Sequence, residues 1–295
     1  MLTDLVQLRT FVTVAAEQHL TRAAERLSMS QSAASAHVRA IEERLGTQLF
    51  TRTNRNLELT HAGQMLAEKA KTLLREEAIF ASFARELKGA TEGRLGVGTS
   101  SGPGTRIGEV LSTLRKQHPL VTIDLLVRTS SGTRQALLSG EIDVGILLGG
   151  SNEASFTYHE LARVPYRVAG PAAWADQIRA ASWEDLAKLP WLTPNDSSAH
   201  ASMLGRLFGD KGLRLNTVIR SDNAAVARTA LIAGAGMMLI REDHALQGET
   251  EGVLALSPLA RAEIPMSIAY QASRSTDPLI RAFLEAAGTV WPSLA

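Results

Sequence analysis

Two copies of the tetrapeptide Thr-Ser-Ser-Gly stand at residues 99–102 and 129–132. Each follows an apolar, β-leaning run and precedes a helix-like pattern. Junctions of this kind place hydroxyls beside the free N–H groups of a helix start, where the dipole end favours an anion, above all a carboxylate. Thr99, Ser100, Ser101, Thr129 and Ser130 are therefore candidate ligand contacts, and Arg128, directly before the second copy, adds charge. A third stretch, TPNDSSAH at residues 193–200, follows the strand-like WLT and adds Thr193 and Asn195. Asp222 and Asn223 stand at a later helix start, and Asp222 could receive an ammonium. Arg241, just after the strand-like MMLI, completes the candidate set. Each junction alone is equally consistent with ordinary hydroxyl capping of a helix.

A catalytic reading competes for the same residues. Gly98 to Gly102 spell G-x-S-x-G, the nucleophile elbow of α/β hydrolases, with Ser100 as nucleophile. That chemistry needs a later acid and histidine, and Asp222 or Asp243 with His244 are the late candidates. Asp243 and His244 are sequence neighbours, which orients them poorly toward each other. Pro103 and Gly104 also interrupt the helix that should begin directly after the serine. The spelling GVGTSS fails as G-x-G-x-x-G, because Ser101 stands at the third glycine. The expectation is that the chain is not an enzyme and has no catalytic residues, with a Ser100 hydrolase as the remote alternative.

A different chemistry is spelled near the N-terminus. Gln31, Ser32, Ser35 and Arg39 lie on one face of a helix-like segment, QSAASAHVRAIEERLG, whose other face carries Ala34, Val38, Ile41 and Leu45. Gln can pair bidentately with adenine, Ser meets several base edges, and Arg suits a phosphate or guanine. Ser30 is placed to cap this helix and Gly46 to end it. Before it, LVQLRTFVTVAAE and LTRAAERLS read as two further helices, and the break MSQ is a tight turn. Two short helices so joined are the geometry of a helix-turn-helix, whose second helix enters the major groove. Two β-leaning runs, 47–50 and 57–60, then flank TRTNRN, a compact wing carrying Arg52, Asn54 and Arg55. Thr21 and His37 join the candidate DNA contacts, His37 as a phosphate-side residue.

The segment from FVTVAAEQHL to LELTHAG resembles the winged helix-turn-helix of LysR-type transcriptional regulators. Phe11, Ala23-Ala24, Leu27, Ser30-Gln31, Ser35, Glu42, Leu45-Gly46, Leu49-Phe50, Arg52, Leu59-Thr60 and Ala62-Gly63 carry the likeness in register. The sequence departs from the family at Ser32, where Pro is frequent, at Ala36, where a longer polar residue is usual, and at His19-Leu20, where Ser-Phe is favoured. The resemblance implies binding of double-stranded promoter DNA at a two-fold symmetric site, with RNA polymerase as a further partner.

From residue 60 to 88 the chain has neither proline nor an interior turn signal beyond Gly63. Leu66, Ala70, Leu73, Phe80, Ala84 and Leu87 recur at helical steps, a stripe that one small domain cannot bury. Pairing with a second copy is expected, and similar proteins dimerise through this helix; a tetramer is the fuller expectation.

The rest alternates strand and helix, which implies parallel pairing with right-handed crossovers. Element order, GEIDVGI and ALIAGAGMMLI resemble the family's effector-binding half, built like a periplasmic binding protein; Arg241 departs from the proline usual there. The expected fold is α/β with an N-terminal winged helix-turn-helix, a long linker helix and a two-subdomain effector domain. Boundaries are expected at 1–60, 61–89 and 90–295. Subdomain I takes about 90–163 and 268–295, subdomain II about 164–267, with crossover strands near 161–169 and 264–271. A small anionic effector is expected between the subdomains, the alternative being a regulator or architectural DNA binder without one.

The bulk properties agree. A 295-residue chain of 45% hydrophobic and 21% charged content suits about two globular domains. The net charge of +1 nominates no partner by itself. No apolar run reaches bilayer length, and the start MLTDLVQLRTF lacks a signal-peptide pattern, so a cytoplasmic location without membrane contact is expected. Zero cysteines exclude disulfides and thiolate metal sites; no metal or cofactor is expected.

Overall fold

The structure is a computed structural model that describes residues 4–52, 57–86, 91–99, 106–149, 153–195, 198–291 and 294, excluding the side chains of 52, 82, 85 and 86. The chain divides into two compact units, Met1–Ala90 and Thr91–Ala295.

In the first unit, α1 (Leu5–Glu17), α2 (Leu20–Arg26) and α3 (Gln31–Leu45) pack around Leu8, Phe11, Val14, Ala23, Val38 and Ile41. Asp4 caps α1 and Ser30 caps α3, each accepting a backbone N–H of the first turn. Gly46 ends α3 in the left-handed conformation that a Cβ disfavours. The wing is the antiparallel pair β1 (Phe50–Arg52) and β2 (Leu57–Leu59), in register Phe50 to Leu59. The spacing places the first strand at 47–50, and the structure starts it three residues later. Residues 48–49 are held otherwise: Glu42 accepts the Leu49 and Phe50 N–H groups, and the Gln48 carbonyl accepts the Thr60 hydroxyl. Leu49 is buried in the same core as the Phe11–Phe50 edge-to-face pair.

The 26-residue α4 (His61–Glu86) starts against this core. Gly63 lies so close to the Leu49 carbonyl that any Cβ there would overlap it. Ala67 and Ala70 are buried beside it, whereas Met65, Leu73, Phe80 and Phe83 are exposed, Phe80 by 73%. The stripe seen in the sequence is therefore buried near the start of α4 and exposed farther along it.

The second unit has two lobes. The first holds β3 (Gly93–Thr99), α5 (Ile107–Gln117), β4 (Val121–Val127), α6 (Ser130–Ser139) and β5 (Val144–Leu148). β3 pairs in parallel with both β4 and β5, as successive right-handed crossovers require. β6 (Phe156–Pro171) then runs into the second lobe, which contains α7 (Ala175–Ala180), α8 (Trp183–Lys188), β7 (Pro190–Thr193), α9 (Ala199–Phe208), β8 (Asn216–Arg220), α10 (Ala224–Ile232), β9 (Met238–Arg241) and α11 (Glu242–Thr250). β10 (Leu254–Gln271) returns the chain to the first lobe, and α12 (Pro278–Gly288) closes it.

The larger sheet has the order β4-β3-β5-β10-β6-β9, and β10 pairs antiparallel with β6 from Phe156–Gln271 to Pro171–Leu254. Both crossover strands extend beyond the segments expected from sequence, because each continues through two lobes as one strand. Their residues serve two cores. Leu161, Met266 and Ile268 join Val97, Ile146 and Phe283 in one, and Tyr166 and Ile264 join Trp191, Phe208 and Leu239 in the other. The parallel pair β7–β8 is linked to the region of β9 through a Trp191–Met237 bridge. No helix among the described residues is long and apolar enough to cross a membrane.

Candidate nucleic-acid interface and ligand cleft

Helix α3 presents Gln31, Ser32 and Arg39 to the outside, with Ser35 half-buried between them. Gln31 and Arg39 have no side-chain partner among the described residues, and the Ser32 hydroxyl meets only that of Ser30, at 2.9 Å. Ser35, Arg39, Glu42 and Thr51 line a shallow depression between α3 and the wing. Glu42 fixes that depression, since its carboxylate fastens the chain entering β1 to the last turns of α3.

His37 is placed differently from its neighbours. The Thr10 hydroxyl donates to the Val6 carbonyl, so the 2.9 Å contact between Thr10 and His37 Nδ1 requires Nδ1 to donate. His37 therefore ties α3 to α1 through one nitrogen and has only Nε2 for an outside partner. Thr21 sits half-buried in the first turn of α2. The backbone of Arg52 lies in β1, while Asn54 and Arg55 fall outside the described residues.

The second unit contains a cavity of about 750 Å³ between its lobes. Of the candidates named from sequence, Arg128, Thr129, Ser130, Thr193, Asp222 and Arg241 line it. Thr129 caps α6 by accepting the Gly132 N–H, and Ser130 Oγ accepts the Leu148 N–H at 3.0 Å, keeping its own hydrogen to donate. Thr99 is buried at the end of β3, and Ser100 and Ser101 lie outside the described residues. Thr193 donates to Thr217 at 3.4 Å. Asn195 turns its backbone N–H and amide to Asp222 and is not among the wall residues. Asp222 is thus occupied, and Asn223 alone caps α10, accepting the Ala225 and Val226 N–H groups.

Two charges expected to serve a ligand are already paired. Arg128 reaches Glu141 at 2.5 Å, and Arg241 forks onto Asp243. The Arg241 guanidinium holds the Asp243 carboxyl below its usual range. This pairing also bears on the hydrolase alternative: Asp243 is engaged with Arg241 and the His244 backbone N–H, so it does not orient the His244 ring. Gly98, the first glycine of that motif, serves packing, because a Cβ there would collide with Ile142 and press on Thr133.

Four further polar groups stand in the cleft, and only His244 was named from sequence, as the late histidine of the hydrolase alternative. Tyr166 and His200 meet edge to face at 4.8 Å. Burial pushes the Tyr166 phenol pKa up and the His200 pKa down to about 4, so both are neutral at pH 7. His244 is also pushed down, first by burial and then by Arg241 and Arg228, against the opposing pull of Asp243. Arg228 is the fourth. It is the one charged residue of α10, AAVARTALI, and that isolation in an apolar helix is the signal that could have found it.

Residues 5–64 match the family described as bacterial regulatory helix-turn-helix protein, lysR family, and residues 88–292 match the LysR substrate binding domain. The HTH-type transcriptional regulator XapR of Escherichia coli (strain K12) is 30% identical over 285 residues, covering 95% of this chain and 96% of that protein. A full-length OxyR variant from Pseudomonas aeruginosa superposes with a TM-score of 0.68 at 24% identity, covering 99% of this chain and 94% of the other. Full-length CbnR, solved in complex with its target DNA, gives 0.67 at 21% identity, covering 97% and 99%. At those identities the two structures speak for the fold alone.

Proposed function

This chain belongs to the lysR family of bacterial helix-turn-helix regulatory proteins, and on that premise we propose a sequence-specific, homo-oligomeric transcriptional regulator controlled by a small anionic effector. The observation that carries the DNA half is the outward face of α3, where Gln31 and Arg39 are exposed without side-chain partners among the described residues. Gln31 at the helix start reads a base edge. Arg39 and the wing arginines Arg52 and Arg55 hold phosphates. The exposed side of α4 pairs with a second copy, which sets two reading heads on a two-fold related promoter site. The cleft of the second unit receives the effector. Because it lies between two lobes, a ligand that contacts both binds one lobe arrangement better and shifts the population toward it.

The experiment is fluorescence anisotropy with promoter fragments selected by the full-length protein. Gln31→Ala is expected to cost about 1–3 kcal/mol of discrimination between the selected site and a site mutated at the contacted base. Arg52→Ala is expected to weaken both sites alike and to lower the salt slope by about one. Unchanged affinity and slope in Arg52→Ala would remove the wing from the interface. For the effector, a thermal-shift screen of small organic acids should find a compound that adds about 2.7 kcal/mol at 100 times its Kd. A broad screen with no shift would leave an effector-independent regulator.

A further inference from the structure

We infer that Arg228 is the anion receptor of the cleft and that the effector is an organic carboxylic acid with an apolar body, its carboxylate held on the second lobe. This rests on the effector reading above and assigns it a residue and a ligand class.

The argument starts with charge. Three guanidiniums line the cavity, and two of them are neutralised by Glu141 and Asp243. Asp222, the one acidic residue among the described wall residues, is exposed and engaged with Asn195. Arg228 is left with no ion pair or hydrogen bond among the described residues, and its Nε is fully buried. An anion entering the cavity that Arg228 lines gives this partnerless charge an acceptor. A guanidinium supplies two parallel N–H groups, the fork that a carboxylate fills bidentately. Beside it, neutral His244 can donate or accept without adding a competing charge.

The remainder of the wall decides what the carboxylate is attached to. Leu148, Val164, Leu192, Met238, Ile240 and Met266 form an apolar lining, and the cavity has the size of a site for an organic molecule. A bare inorganic oxyanion would satisfy Arg228 and leave that surface facing water. An aromatic or aliphatic body covers it at about 25 cal/mol per Å².

The test is calorimetric titration of the full-length protein at pH 7.5 in chloride buffer with benzoate, octanoate, their primary amides and sodium sulfate. At least one carboxylate is expected to bind, with its amide at least tenfold weaker and sulfate weaker still. Arg228→Met should weaken that carboxylate at least tenfold, and Arg228→Lys should recover part of the loss. The unliganded melting temperatures of both variants establish that they fold. Ser130→Ala, on the opposite lobe, tests the rival placement of the carboxylate and should weaken binding less than Arg228→Met does. Binding that survives Arg228→Met but falls in Ser130→Ala would overturn the assignment while leaving an anionic effector in place. Equal binding of acid and amide would overturn the anionic class itself. Binding of sulfate alone, or of none of these probes, would also overturn the inference; the broader thermal-shift screen tests the effector reading separately.

Discussion

At the scale of the residue, His200 couples the cleft to pH. Its imidazole packs against the Tyr166 ring, and burial holds its pKa at about 4. In an unfolded chain the same group titrates at about 6.5. On acidification the unfolded state therefore takes up the proton first. The stabilisation is complete above about pH 6.5 and is lost as the pH falls toward 4, amounting to at most about 3 kcal/mol. Urea unfolding of wild type and His200→Leu, at several pH values across that window, checks this. The wild type should lose about 2 kcal/mol more than the variant between about pH 7 and pH 4.5. Parallel slopes would show that the ring is solvated. The same environment explains why the residue was illegible in the sequence. A histidine one residue into a helix looks like solvent-facing decoration until a tyrosine from a strand 34 positions earlier is packed against it.

At the scale of the element, what the sequence revealed were periods, and what it concealed were partners. Helices α1 to α4 follow from apolar spacing with Ser30 and Gly46 as punctuation, since these signals are local. The first wing strand was displaced, and the second was not, because the competing interaction, Glu42 with the Leu49 and Phe50 N–H groups, spans a helix end and a turn. The α4 stripe was read as one surface, and its first turns do meet the domain core through Ala67 and Ala70, but the helix outruns that core and leaves Leu73 and Phe80 uncovered. Exposing Phe80 by 73% beside exposed Leu73 and Phe83 is costly for a lone chain, so the dimer proposal makes a sharp prediction here. Phe80→Glu should shift the sedimentation coefficient toward the monomer and weaken binding to a two-fold site more than to an isolated half-site. Retention of the full oligomer would move the interface elsewhere.

At the scale of the whole molecule, the second unit is tied together by charge as well as by its cores. Arg274, only 5% exposed, reaches Asp143 and Asp277 at 2.5 Å each. Asp143 also accepts the Gly96 N–H, and Asp277 caps α12. Strand β3, the entry to β5 and the last helix thus meet at one buried cation. Removing a partner from such a site costs about 3–5 kcal/mol, because the remaining charge stays buried. Asp143→Ala is expected to lose about that much in urea unfolding, against a smaller loss in Arg228→Met, whose charge has no partner to strand among the described residues. No sequence pattern joins residues 143 and 274; only the returning β10 brings them together. That strand has a second consequence. β6 and β10 are hydrogen-bonded to each other through both lobes, with irregular register between Leu256 and Arg261 and between Met266 and Ser267. Between the pairing of β10 with β5 at Met266–Ala269 and that of β6 with β9 at Tyr166–Ala169, the two strands have only each other, and a two-stranded stretch takes up more twist than a wide sheet. That short stretch is the swivel of the second unit, the place where one lobe can turn against the other without either pairing losing a rung.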